Sequence, residues 1–158
     1  MFREIVRKKQ AMTREACIEL LTQETRGVLA VQGDDGYPYA VPTNHYYDAE
    51  TGLLLFHSGK SGHKVDAFLR SDKVSYCVTD EGERKEGDWA KTYRSVIVFG
   101  RVRYLEDFDE AMDMVRKLSL QFIGDTEHIE YEIEHFGQET LVFAIVPEHI
   151  SGKIVREA

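Results

Sequence analysis

Cysteine is scarce in this chain. Cys17 falls in a helix-like context and Cys77 in a strand-like one, without metal-ligand spacing, so both are expected to be buried, reduced thiols. Long apolar runs are absent. No stretch approaches the roughly 20 residues that cross a bilayer, and Met1-Phe-Arg-Glu4 does not read as a secretory signal. No membrane partner is therefore expected, and the cytoplasm is the default location. Positive charge is in deficit, with 20 Lys and Arg against 28 Asp and Glu and a net charge of −8. That balance excludes general nucleic-acid binding, which needs a basic face to replace phosphate counterions. Proline is rare as well, and no repeat, low-complexity tract or linker divides the 158 residues. One domain spanning 1–158, with a real core, is the expectation.

What is present reads as many strands and few helices. Arg3 to Gln10 is a basic leader, expected to be extended. Thr13 is placed to cap a helix whose apolar face is Cys17, Leu20 and Leu21. Gly27 to Gln32 reads as a strand, Gly33-Asp-Asp-Gly36 as a turn, and Tyr37 to Tyr47 as a second strand. Pro42 predicts an edge or bulge in that strand. Leu53 to His57 is a third strand, followed by a helix over about Ser61 to Arg70, and Lys73 to Thr79 is a fourth with Val74, Tyr76 and Val78 on one face. Thr92 to Leu105 is expected to be the longest strand, and Gly100 within it marks a bulge or a close backbone approach. Asp107 with Glu110 forms a capping box, and the acidic segment Asp125 to Glu139 carries a further helix through Ile129, Ile133 and Phe136. Leu141 to Val146 and Ile150 to Val155 are two closing strands. The sum is a mainly antiparallel β-barrel with peripheral helices.

Chemistry concentrates after the third strand, in His57-Ser58-Gly-Lys60-Ser-Gly-His63-Lys64. A turn feeding a helix N-terminus presents unpaired amides beside the positive end of the helix dipole, a setting for an anion such as phosphate. Gly59-Lys60-Ser61 imitates the end of a nucleotide P-loop, but that motif needs a further glycine where Leu54 stands. The P-loop reading fails, and phosphate binding of a more general kind stands beside the plainer reading of a solvated connection. His45, His57 and His63 match no recognised metal-ligand spacing.

Four ordered segments carry a resemblance: Tyr37-Pro-Tyr-Ala-Val-Pro42, Phe56-His-Ser58, Gly62-His-Lys64-Val-Asp66 and Tyr93-Arg-Ser95-Val-Ile-Val-Phe-Gly100. Together they resemble the FMN-binding split barrels, the pyridoxamine 5'-phosphate oxidase-like proteins, and within them the nitroimidazole-resistance (Nim-type) branch. The resemblance implies a six-stranded antiparallel Greek-key split barrel that forms a homodimer with FMN between subunits. It implies that Val41, Pro42, Thr43 and Asn44 lie along the isoalloxazine ring. Ser58 and His57 would line the ribityl and phosphate end, His63 and Lys64 would hold the phosphate, and Arg94 and Ser95 would complete the site across the interface. His57 would sit next to the reactive face of the flavin. Ala40, Pro42 and Thr43 stand where the oxidases proper carry basic residues, which argues against pyridoxamine phosphate as substrate.

The function so implied is reduction of a small planar acceptor, nitroimidazole or nitroaromatic in type, through bound FMN, with a nicotinamide nucleotide as a possible donor. The alternative is a flavin- or haem-binding protein of the same fold without steady turnover. A third reading is an interaction protein whose basic turn is merely solvated. Acceptor contacts are expected in the Glu81–Thr92 loop and in the acidic segment before Leu141. Tyr37, Tyr39, Tyr46 and Tyr47 are expected to pack at the barrel surface or a dimer interface.

Overall fold

A computed structural model describes residues 1–157. Helix α1 (Arg14–Gln23) starts where the Thr13 hydroxyl accepts the Ala16 amide, and it buries Cys17, Leu20 and Leu21 as their spacing predicts. The strands are β1 (Arg26–Gln32), β2 (Pro38–Asn44), β3 (Tyr46–Asp48), β4 (Leu53–Gly59), β5 (Lys73–Thr79), β6 (Lys91–Tyr104) and β7 (Thr140–Glu157). Helix α2 (His63–Arg70) follows β4, while α3 (Phe108–Leu120) and α4 (Thr126–Phe136) lie between β6 and β7. Every strand pairing is antiparallel, in the order β2-β1-β5-β6-β7-β4-β3.

The two end strands of that order are consecutive in the chain, separated only by His45. One bent stretch therefore pairs with β1 along its first half and β4 along its second, so the sheet must curl on itself. Seven strands replace the expected six because this stretch breaks at His45. The kink is held from several sides. The His45 amide donates to the Thr25 carbonyl at 2.9 Å, and its own carbonyl accepts from Gln121 Nε2 at 2.9 Å. Its fully buried ring meets the Leu21 carbonyl through Nε2 at 2.8 Å and the Tyr76 hydroxyl through Nδ1 at 2.9 Å. Pro42 lies on β2, which among the described residues has β1 as its only partner strand, as an amide-less residue requires.

Inside the barrel, alternate residues of each strand converge. Phe56 and Phe143 stack at 5.0 Å, with Tyr76 edge-on to Phe56 at 5.0 Å. Burying each of these rings contributes about 2–3 kcal/mol. A second, smaller cluster of Ala111, Met112, Ile129, Ile133 and Val142 seats α3 and α4 on the barrel rim.

Several expectations are corrected. The two closing strands are one, because β7 pairs with β6 on both sides of a bulge between Phe99 and Gly100, with Glu148 as the additional residue. Pro147 is tolerated there because β4 reaches β7 only as far as Ile145. At 18 residues β7, not the 14-residue β6, is the longest strand. Gly100 is a close approach as expected: a Cβ there would lie 2.4 Å from the Val146 carbonyl oxygen. Cys17 is buried but Cys77 is exposed, since Val74, Tyr76 and Val78 take the inward positions of β5 and parity turns residue 77 outward. The basic leader is not uniformly extended. Lys8–Gln10 forms a single helical turn, and Phe2 stacks on His149 at 5.0 Å.

Candidate functional site

The turn from β4 into α2 is built as an open cradle. Gly62 is the N-cap of α2 at φ 128°, a backbone angle that favours glycine, and no side chain caps the helix. The first intrahelical bond runs from the Asp66 amide to the Gly62 carbonyl at 3.0 Å, which leaves the preceding amides without helical partners. A Cβ at Gly59 or Gly62 would meet nothing within 4 Å, so both glycines border open space. Lys64 stands half-buried in the first turn of α2. The Ser58 hydroxyl lies at the same end, donating locally to the Gly59 carbonyl at 2.9 Å.

His63 is held on the opposite side of the turn. Its ring lies flat on Tyr39 at 4.0 Å, and its Nε2 is 3.7 Å from Asp34 Oδ2. Asp34 also pairs with Arg70 at the far end of α2. The helix is thereby tied at both ends to the β1–β2 turn.

His57, on β4, opens into a cavity of about 480 Å³ between the barrel and the helical pair. Helix α3 lines it with Met112, Val115 and Leu118, and α4 with Ile129, Ile133 and Phe136. Asn44, His128 and Glu132 supply polar groups beside His57. Although His57 keeps contact with solvent, burial of its ring and then the charge of Lys64 push it below the ordinary histidine value. A neutral imidazole at neutral pH is the consequence, able to accept or pass a proton. Among the described residues no group of three or more His, Cys, Asp or Glu is placed to hold a metal ion.

The structure thus brings Asn44, His57, Ser58 and Lys64 to one end of the barrel, with Val41, Pro42 and Thr43 on the adjoining edge strand β2. Arg94 and Ser95 lie elsewhere. His57 pairs with Val142 on β7, but Arg94 pairs with Ile154 and Ser95 with Lys153, near the other end of that strand. The path between them is roughly 40 Å along the strand. Arg94 also grips Asp80, its Nε donating to Oδ2 at 2.9 Å and its amide to Oδ1 at 3.0 Å. Burial alone would raise the Asp80 carboxyl, but the Arg94 and Gly82 hydrogen bonds outweigh it and hold the group below its ordinary value.

Of the two segments expected to contact an acceptor, only the acidic one reaches the cavity. The Glu81–Thr92 loop is fastened at the far end, where Arg156 pairs with Asp88 and lies over Trp89 at 5.9 Å. The four tyrosines divide: Tyr47 is core, Tyr39 supports His63, Tyr46 is half-buried and Tyr37 is exposed. His128 and Glu132 escaped sequence reasoning. Glu132 follows Ile129 by three residues and His128 by four, spacing that places both beside the apolar face of the helix.

A curled antiparallel sheet with helices seated at its rim and an uncapped helix beside one barrel end is a split barrel. The chain belongs to the pyridoxamine 5'-phosphate oxidase family, whose sequence pattern matches residues 13–154. Among curated protein sequences none matches. Solved structures share the fold at low identity. A candidate 5-nitroimidazole antibiotic resistance protein from Bacteroides thetaiotaomicron superposes with a TM-score of 0.77 and 17% identity, over 93% of this chain and 87% of that one. An FAD-binding protein from Mesorhizobium loti gives 0.66 and 23%, over 92% and 97%. An FAD and heme binding protein from Mycobacterium smegmatis gives 0.73 and 23%, over 92% and 73%.

Proposed function

We propose that the chain is an FMN-binding flavoprotein, an oxidoreductase that reduces a small planar acceptor of nitroaromatic type. One observation carries the reading: the uncapped α2 N-terminus with Lys64 lies beside a largely apolar cavity into which His57 opens. The cradle suits the phosphate of the cofactor, since free amides, a helix dipole and an ammonium all favour a dianion. Donor chemistry and open space both fit, because the turn offers hydroxyls, amides and a lysine around glycines with nothing in front of them. Ser58 and His63 flank the phosphate position, and Val41, Pro42, Thr43 and Asn44 offer an edge-strand wall for the ring. Bound FMN supplies storage of two electrons and their delivery singly or as hydride. His57 orients the acceptor and holds or releases a proton at a ring nitrogen.

We further propose that the working unit is a cytoplasmic homodimer. The outward face of the barrel is apolar along β1, β5 and β6, where Val28, Ile97 and Phe99 are each close to 40% exposed. A second copy seated there supplies Arg94 and Ser95, which one chain keeps apart from His57. A nicotinamide nucleotide serves as electron donor.

The test is absorbance of the purified protein, followed by release of FMN on denaturation and turnover with a nicotinamide donor and a nitroaromatic acceptor. A yellow protein that turns over supports the proposal. Flavin binding without turnover, or a haem spectrum, moves the protein to the binding-protein alternative. A colourless protein without affinity for FMN overturns it.

A further inference from the structure

The chamber in front of His57 has a charge character that bears on what it accepts. At about 480 Å³ it lies within the range of sites for whole small molecules. Its walls are mostly apolar, and no lysine or arginine is among the residues that line it. Asn44, Ser119 and Thr140 are neutral, and burial of part of its ring and the neighbouring Lys64 lower the tendency of His57 to take a charge. Glu132 is the carboxylate in the wall, with His128 Nε2 3.9 Å from its Oε1 on the same face of α4. Two cations stand behind the lining without being part of it: Arg26 donates to Asn44 Oδ1 at 2.7 Å, and the charge of Lys64 is felt at His57.

We infer that this chamber takes a predominantly apolar substrate that is neutral or cationic, with Glu132 as the residue that sets the preference, and that it turns away phosphorylated, sulfonated or carboxylated molecules. The inference rests on the proposed flavoprotein reading for the word substrate, but the charge preference is a property of the chamber itself. An anion entering it would exchange water for aliphatic walls and a like charge, with no guanidinium or ammonium in the lining, Arg26 being held by Asn44 Oδ1. A neutral heteroaromatic loses little on entry, and its polar edge finds Asn44, His57 or His128. A cation gains the Glu132 carboxylate at its polar end. The two polar features of this barrel end thereby divide their work: the cradle selects an anion and the chamber excludes one.

The experiment uses three matched probes: menadione, a naphthoquinone sulfonate and a naphthoquinone bearing a quaternary ammonium group. Dissociation constants are measured by equilibrium dialysis on the FMN-loaded protein and again on flavin-free protein. Menadione and the cationic probe should bind at least about tenfold more tightly than the sulfonate. Glu132→Gln should bring the cationic and anionic probes to within about threefold of each other while leaving menadione unchanged. Because Glu132 is exposed on α4, the variant should keep the wild-type melting temperature and FMN affinity. Equal binding of the three probes, or an unchanged ranking in Glu132→Gln, overturns the inference. If the protein takes up no FMN, the flavoprotein reading fails separately, and the ranking on flavin-free protein still decides the chamber's preference.

Discussion

The His45 ring and the Tyr76 hydroxyl lie between two backbone carbonyls, those of Leu21 and Thr43. The Leu21 carbonyl can only accept, so Nε2 carries the ring hydrogen. In the neutral ring Nδ1 has no hydrogen, so it and the Thr43 carbonyl, each 2.9 Å from the Tyr76 hydroxyl, compete for its single hydrogen. Burial pushes His45 below its ordinary value, partly offset by the Leu21 contact. The unfolded chain, with an ordinary value of 6.5, therefore takes up a proton that the native state resists. The stability contribution is present above about pH 6.5 and is lost as pH falls below it, by up to about 1.4 kcal/mol per pH unit. Thermal melts between pH 7.5 and pH 5, roughly that window, should show this loss, and His45→Gln should flatten it while lowering stability at neutral pH. A second residue-scale outcome concerns the cradle. Lys64→Ala should weaken FMN binding by about tenfold, read from flavin fluorescence, because it removes a charge-assisted contact while leaving the amides in place. Unchanged affinity would count heavily against the phosphate assignment.

Elements explain how the chamber is held. Helix α3 begins where the Asp107 side chain accepts the Glu110 amide at 2.8 Å, and α4 where Asp125 accepts the His128 amide at 3.1 Å. Asp107→Ala should cost about 1 kcal/mol of stability in chemical denaturation, the usual loss for an N-cap. Arg116 bridges the pair, donating to Glu130 at 2.6 Å and Asp113 at 2.7 Å. Since all three are solvent-accessible, Arg116→Ala should cost less than about 1 kcal/mol, and the apolar contacts of Ile129 and Ile133 carry most of the docking. These elements were legible in the sequence because capping and helical periodicity are local: Thr13, Asp107 and the Ile129–Ile133–Phe136 spacing each identify their helix. Parity on β5 likewise identified the inward residues, and the same parity should have turned Cys77 outward. The break at His45 and the continuity of β7 were not legible. Both depend on which strand lies alongside, β1 giving way to β4 in one case and β6 continuing past Pro147 in the other. Pairing of this kind joins residues far apart in the chain, and no local pattern records it. The site divided in the same way. The cradle is a local turn and was readable, whereas the wall of α4 opposite His57 exists only once the chain has folded.

For the whole molecule, the proposed homodimer rests on the outward apolar face of β1, β5 and β6 and on the remoteness of Arg94 from His57. Ile97→Glu should shift the protein toward monomer in sedimentation analysis and weaken flavin retention with it, because the second copy would no longer bring Arg94 and Ser95 to the cofactor. A monomeric variant retaining full flavin affinity would remove the interface from the site. The closure of the barrel through His45 has a further effect, on how the molecule opens. The two edge strands meet at His45, where neither can peel away without the other, so the His45 amide should be among the slowest to exchange its hydrogen with solvent. Helices α3 and α4 rest on a separate small cluster, and their amides should exchange through smaller, more frequent openings. The chamber can then breathe to admit and release an occupant while the strand proposed as the cofactor wall stays closed, placing rigidity and mobility on opposite sides of His45.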